Sequence, residues 1–143
     1  MKHPMYVTAD DAVKAVRTGD HIHLSSVASV PHILIESLCR RADAGEVRDL
    51  HFHHFHTEGP APYAEPKYEG IFFDQGFFIG PNVRADANAG YADYLPVHLS
   101  ESQKLYRSGA LRCDVAMVQV SLPDENGMFS LGTSVDCSLA AVE

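Results

Sequence analysis

One stretch restricts the fold more than any other. Val115-Ala116-Met117-Val118-Gln119-Val120 is a nearly continuous apolar run of strand length. A strand with one wet face alternates polar and apolar residues, so a run without alternation fits a central parallel strand buried on both faces. Parallel strands cannot be joined by tight hairpins and need long crossovers, usually helical. The run therefore calls for strands alternating with helices along the rest of the chain.

The remaining pattern supplies that alternation. Thr8 with Asp11 three residues on resembles a capping box; with Ala12, Val13 and Val16 as an apolar stripe and Gly19 as a stop, it predicts a helix from about Ala9 to Thr18. His21 to Ser25 alternates as a short strand. After the small residues Ser25-Ser26-Val27-Ala28-Ser29, Pro31 opens a helix that runs to about Ala44, with Leu34, Leu38 and Ala42 as its buried stripe and Gly45 closing it. Leu50 to His56 reads as a strand, Thr57 to Tyr68 as a Pro- and Gly-rich loop, and Ile71 to Ile79 as an aromatic strand. A helix from Pro81 to Gly90, a strand from Tyr94 to Leu99 and a short helix capped by Ser100 with Gln103 and stopped by Gly109 follow. Pro123-Asp124-Glu125-Asn126-Gly127 is a turn, Met128 to Leu131 a short strand, and Asp136 to Glu143 the start of a helix. The expected fold class is α/β, a mostly parallel open sheet flanked by helices, with ligands at the carboxyl ends of the strands. Residues 1–143 read as a single domain without repeats. The terminal helix lacks a return strand, so the unit reads as incomplete at its C-terminus.

Composition excludes several classes of partner. Eleven Lys and Arg against nineteen Asp and Glu give a net charge of −8 with no basic run, which argues against nucleic acid. Met1 to Asp20 is polar and reads as a helix rather than a leader. The longest stretch without Asp, Glu, Lys or Arg, His21 to Ile35, contains three His, three Ser and a Pro, so no membrane span is expected. Three widely spaced cysteines, Cys39, Cys113 and Cys137, fit a reducing compartment, and the cytoplasm is the expected location.

His51-Phe52-His53-His54-Phe55-His56 invites a metal-site reading, since imidazole ligates transition metals. On an extended strand, however, His51 and His53 face one way and His54 and His56 the other, whereas a closed zinc site needs about four converging donors. The run is read as histidines near a strand end, and no residue is assigned to a metal. No G-x-S-x-G elbow surrounds any serine, and no cysteine sits in a catalytic context. Ser25, Ser26 and Ser29 belong to a loop of small residues before a helix N-terminus, where backbone N–H groups suit phosphate or carboxylate. Gly59-Pro60-Ala61-Pro62-Tyr63 is a stiff loop able to shape a pocket. Gly80-Pro81-Asn82-Val83-Arg84 shares that logic and adds a cation.

The order and wording of these segments resemble the N-terminal domain of the acetyl-CoA hydrolase/transferase family, which includes the 4-hydroxybutyrate and butyryl-CoA transferases. The resemblance spans nearly the whole chain: Thr8 to Val13, Thr18-Gly19-Asp20, Gly59 to Tyr63, Phe77 to Arg84, Ala92 to Val97, and most specifically Asp114 to Gly127 with Ser130 to Asp136. The loop matching Ser25–Ser29 commonly carries glycines in the family, and this one carries none. The resemblance implies a two-domain enzyme in which a C-terminal glutamate attacks acyl-CoA and then holds coenzyme A as a glutamyl thioester before a short carboxylate accepts it. That glutamate's motif falls beyond position 143, so no residue here takes the catalytic role, and the isolated chain is expected to be inactive. By motif match, Ser25, Ser26, Ser29, Gly59, Pro60, Ala61, Pro62, Tyr63, Gly80, Asn82, Arg84, Asn126 and Gly127 would wall the pocket for acyl-CoA and carboxylate. Coenzyme A enters as substrate, with no tightly bound cofactor implied. The C-terminal domain is the implied partner, and self-association into a homo-oligomer is the alternative fate of the surface that would meet it. Two other readings stand beside this one: a non-catalytic module binding acyl-CoA or carboxylate, and a metal-dependent hydrolase using the histidine run.

Overall fold

The computed structural model describes residues 6–143, so Met1 to Met5 of the expected N-terminal helical stretch lie outside it. Five strands form one open sheet in the order β4-β3-β2-β1-β5, every pair parallel. They are β1 (His21–Leu24), β2 (Leu50–His54), β3 (Phe72–Gly76), β4 (Ala92–Tyr94) and β5 (Val115–Met117). The helices are α1 (Ala9–Ala12), α2 (His32–Asp43), α3 (Arg84–Ala89), α4 (Leu99–Arg107) and α5 (Ser138–Val142). The α/β class and the parallel sheet are as the sequence predicts.

Parallel register places Ile22 beside Phe52 and Phe52 beside Asp74, so side chains of one parity share a face. One face presents Ile22, Leu24, Leu50, Phe52 and Phe72 to the buried side of α2, forming the main core. The other presents His21, His23, His51 and His53. There α4 and α5 bring Tyr106, Cys137 and Ala140 together with Phe77 into a second apolar cluster.

Several elements depart from expectation for identifiable reasons. Thr8 does cap α1, its Oγ1 accepting from the Asp11 N–H at 3.1 Å, but the helix gives way to a 3₁₀ turn at Val13–Ala15 and ends before Thr18. Three-residue winding puts Val13 and Val16 on one side, where both are buried, and the Arg41 guanidinium binds both their carbonyls. The buried stripe of α2 is Ile35, Leu38, Cys39 and Ala42, while Leu34 is only half-buried. Residues spaced strictly by four drift around a helix of 3.6 residues per turn; the i, i+3, i+4, i+7 set does not. The helix expected from Pro81 occupies only Arg84–Ala89, closed by Gly90 at φ 88°. The strand expected over Tyr94–Leu99 lies earlier, at Ala92–Tyr94, and Leu99 already belongs to α4. Ser100 and Gln103 form no capping box, because the chain enters α4 at His98 and the Gln103 amide donates instead to the Asp136 carbonyl at 2.9 Å.

The apolar run is an edge strand rather than a central one. Only Val115–Met117 pairs, with β1, and Val120 is exposed. Beyond it, Ser121 and Ser130 hold a loop together in place of the strand expected at Met128–Leu131; Leu122 is 85% exposed and Met128 64%. No helix among the described residues is long and apolar enough to cross a membrane.

Candidate functional site

The chain lays down β1 to β4 in one direction and then returns across β1 to place β5 on its other side. In open parallel sheets, ligands occupy the crevice beyond the carboxyl ends where strand order reverses. An open cleft of about 550 Å³ lies at that point, lined by Val30, Pro31, His32, Val118 and Gln119, with Val7, Thr8 and Ala12 opposite.

Ser25, Ser26 and Ser29 border this crevice, but all three are buried, and the Ser25 and Ser26 hydroxyls with the Ser25 and Ser29 amides bond within the fold. Ser25 Oγ donates to the Ser29 carbonyl at 2.5 Å and accepts from the Gln119 N–H at 3.0 Å, tying β1 to the end of β5. Ser26 Oγ accepts from the Phe55 N–H at 2.9 Å. The Ser25, Val27 and Ser29 N–H groups bond to the carbonyls of Met117, His56 and Ser26. The loop is thus a clamp across three strands, and those three amides are not offered to an anion. Val27 lies at φ 53°, in the left-handed region where a β-branched residue is strained and glycine is at ease.

Beyond β2 and β3, two of the predicted loops are brought together by a residue the sequence reading passed over. Thr57 is fully buried; its Oγ1 bonds to the Tyr63 hydroxyl at 2.8 Å and accepts from Asn82 Nδ2 at 3.0 Å. Asn82 Nδ2 also donates to the Gly59 carbonyl at 3.2 Å. Burial holds the Tyr63 phenol well above its ordinary pKa, so it stays a neutral hydrogen-bonding group. Gly80 is needed at this junction: a Cβ there would come within 2.7 Å of Asn82 Oδ1 and 3.2 Å of the Thr57 carbonyl. Gly59 packs against His32 at the start of α2, which links this loop pair to the crevice. A smaller cavity of about 290 Å³ opens between Thr57, Glu58, Gly59, Pro81 and Asn82. Pro60 is exposed, while Ala61 and Pro62 are half-buried and lead into the buried Tyr63.

Arg84 opens α3, is exposed, and forms no ion pair among the described residues, so its guanidinium is available. Asn126 and Gly127 are not brought to the other loops. They lie on the exposed turn ordered by Asp124 Oδ1, which accepts from the Asn126 and Met128 N–H groups at 2.9 and 2.8 Å. The cysteines are not poised as nucleophiles: burial raises the thiol pKa of Cys39 to about 11 and also lifts those of Cys113 and Cys137.

The histidine run divides between the two faces as strand geometry requires. His51 stacks on His21, with ring centroids 4.4 Å apart and planes 5° from parallel. His21 Nδ1 and His53 Nε2 share a hydrogen bond of 2.9 Å. On the opposite face, the buried His54 donates from Nε2 to Asp74 Oδ1 at 2.6 Å. His21 Nδ1 and His53 Nε2 come together, but among the described residues no third His, Cys, Asp or Glu joins them, short of the three or four donors a zinc site needs. The run thus lacks the geometry of the metal-dependent hydrolase reading.

Comparison with known proteins agrees with this architecture. The model of the acetyl-CoA hydrolase/transferase N-terminal domain matches residues 3–143. The chain belongs to that family. It is 34% identical over 134 residues to a succinyl-CoA:acetate/propanoyl-CoA:succinate CoA transferase of Fasciola hepatica, covering 94% of this chain and 28% of that protein. It is 30% identical to the 4-hydroxybutyrate coenzyme A transferase of Clostridium kluyveri, covering 96% of this chain and 32% of the relative. A solved 4-hydroxybutyrate CoA-transferase from Porphyromonas gingivalis superposes with a TM-score of 0.72 at 25% identity, covering 94% of this chain and 30% of that one. This member of the family therefore spans about a third of the length of the curated relatives it matches.

Proposed function

We propose that this domain forms the substrate-facing wall of a CoA-transferase that moves CoA between an acyl-CoA and a short carboxylate of the acetate, butyrate or 4-hydroxybutyrate class. The glutamate that carries CoA as a thioester would come from the C-terminal part that the relatives possess. The observation that carries the reading is the convergence of Gly59–Tyr63 and Gly80–Arg84 through Thr57, at the carboxyl edge of the sheet, with the exposed Arg84 two residues after the Asn82 that makes the junction. Family membership supports the reaction class, and the relatives' names supply the kind of substrate.

In this reading the chain performs no bond-making step. Its rigid Pro- and Gly-rich loops would exclude water from a thioester or anhydride, which is what an acyl-transfer intermediate most needs. Arg84 would orient the carboxylate of the incoming acid by charge and paired N–H donors. Asn126 and Gly127 would join the wall only when the exposed turn is covered by another part of the enzyme.

The test is a chimaera in which this chain replaces the matching N-terminal third of the Clostridium kluyveri enzyme. CoA exchange between acyl-CoA and acetate is expected, with Arg84→Ala raising the KM for the carboxylate more than for the acyl-CoA. A folded chimaera that binds acyl-CoA without exchange would instead favour a binding module. One in which Arg84→Ala leaves the carboxylate KM unchanged removes that residue from the site.

A further inference from the structure

We propose that His23, Asp136 and Cys137 form a binding site for a divalent cation of the zinc type, clamping the start of α5 to the middle of β1. Their donor atoms lie within 4.8 Å of one another; His23 and Cys137 are fully buried, and Asp136 is half-buried. No other group of three such side chains gathers this closely among the described residues.

The carboxylate points to an ion rather than to ordinary packing. Asp136 Oδ1 accepts from the Cys137 N–H at 2.5 Å and from Ser138 Oγ at 3.4 Å, but Oδ2 is buried without a partner among the described residues. A buried, unpartnered carboxylate oxygen costs free energy, and an ion or ordered water is its usual explanation. Asp136 also holds φ 29°, a left-handed backbone that turns its side chain back toward the sheet. The donor chemistry favours zinc: imidazole, thiolate and one carboxylate are its customary ligands, whereas magnesium and calcium take oxygen alone.

The shifts needed are small. Bonds of about 2.0–2.3 Å in a tetrahedral site put neighbouring donors roughly 3.5 Å apart, so each side chain closes by about 1 Å or less. His23 already holds its ring, with Nδ1 bonded to the Tyr106 hydroxyl at 3.0 Å and Nε2 to Ser138 Oγ at 2.9 Å. Ligation would free the Ser138 hydroxyl from Nε2 and leave the Tyr106 bond to orient the ring, as the partners of metal-bound histidines do. The fourth position goes to Ser138 Oγ or a water. Ligation takes a neutral imidazole and a thiolate, so the Cys137 thiol gives up its proton as the ion binds. The balance is simple: the S–H bond breaks, an S–metal bond forms, and one proton passes to buffer. The clamp would fasten the long excursion between β5 and α5 back onto β1, independently of the CoA-transfer reading.

The experiment uses the full chain with cobalt(II) as a spectroscopic probe and zinc(II) as competitor. A Cys39→Ser/Cys113→Ser variant leaves Cys137 as the sole thiol. It is expected to show a thiolate-to-cobalt charge-transfer band saturating at one equivalent, one proton released per ion, and loss of the band on adding zinc. Cys137→Ser should abolish the band, Asp136→Asn should weaken binding, and His51→Asn should change nothing. Absence of the band in the double variant, or its persistence in Cys137→Ser, overturns the proposal and leaves Asp136 Oδ2 to a water.

Discussion

Acid should destabilise this fold through His53, at a pH well above that needed to protonate its carboxylates. His53 is 1% exposed and shares its Nε2 with His21 Nδ1, while its own Nδ1 has no partner among the described residues. A second proton on this pair would place a cation in a buried site beside His21, His51, His54 and His23. Burial first, and these neighbours second, push the His53 pKa down to about 3. The unfolded chain, with a histidine pKa of about 6.5, binds the proton first, so stability is fully present above that value and falls as pH drops toward 3. One such group gives a slope of about 1.4 kcal/mol per pH unit and a loss of about 3 kcal/mol between pH 7 and pH 4. Urea unfolding followed by far-ultraviolet circular dichroism, with and without His53→Leu, isolates the effect because every other titrating group contributes to both profiles. The variant profile should be flatter by about 1.4 kcal/mol per unit between pH 5.5 and 4. Parallel profiles would mean that His53 accepts a proton in the folded state and that the imidazole stack does not exclude charge.

The other expectations concern the loops. Because Val27 sits at φ 53°, Val27→Gly should be more stable than Val27→Ala by about 1 kcal/mol in chemical unfolding, the reverse of the order in a helix or strand; an alanine variant of equal stability contradicts the left-handed assignment. Thr57→Val strips the buried Tyr63 hydroxyl of its partner and should cost about 2 kcal/mol. Adding Tyr63→Phe should cost less than the sum of the two single changes, and strict additivity would show that the hydroxyls do not bond. Leu122→Lys with Met128→Lys should leave thermal stability within about 0.5 kcal/mol and lower self-association in sedimentation velocity, since both side chains are exposed; unchanged association places any contact elsewhere.

Local signals carried most of the fold because they act within a few residues. Thr8 and Asp11 cap α1, Gly45 and Gly90 end α2 and α3, and the alternation of His21–Leu24 sets β1. Where local signals conflicted with packing, packing prevailed: the buried Val13 and Val16 tightened the first helix, and Gln103 bonded to Asp136 across 33 residues instead of capping its own helix. The run at Val115–Val120 misled for a different reason. An apolar run suggests burial on both faces, but it does not say which strands lie alongside; here only β1 does, only Met117 is buried, and Gln119 and Val120 are exposed.

The candidate site was legible as far as its loops and no further. Gly59–Tyr63 and Gly80–Arg84 announce themselves by Pro and Gly, because stiffness is written in the residues themselves. What joins them is Thr57, an unremarked residue whose role arises only when Asn82, 25 positions later, arrives beside it. The same limit hid His23 and Ser138, bonded across 115 positions, while the conspicuous histidine run proved to be stacked rings and a buried His54–Asp74 pair. Serines misled in the opposite direction. Their small size suggested a loop open to an anion, yet small hydroxyl side chains also fit where three strands are cinched together, and Ser25 and Ser26 do that. In the proposed reading, the pocket lies near Asn82, where the two stiff loops meet through Thr57 and a cavity opens between them.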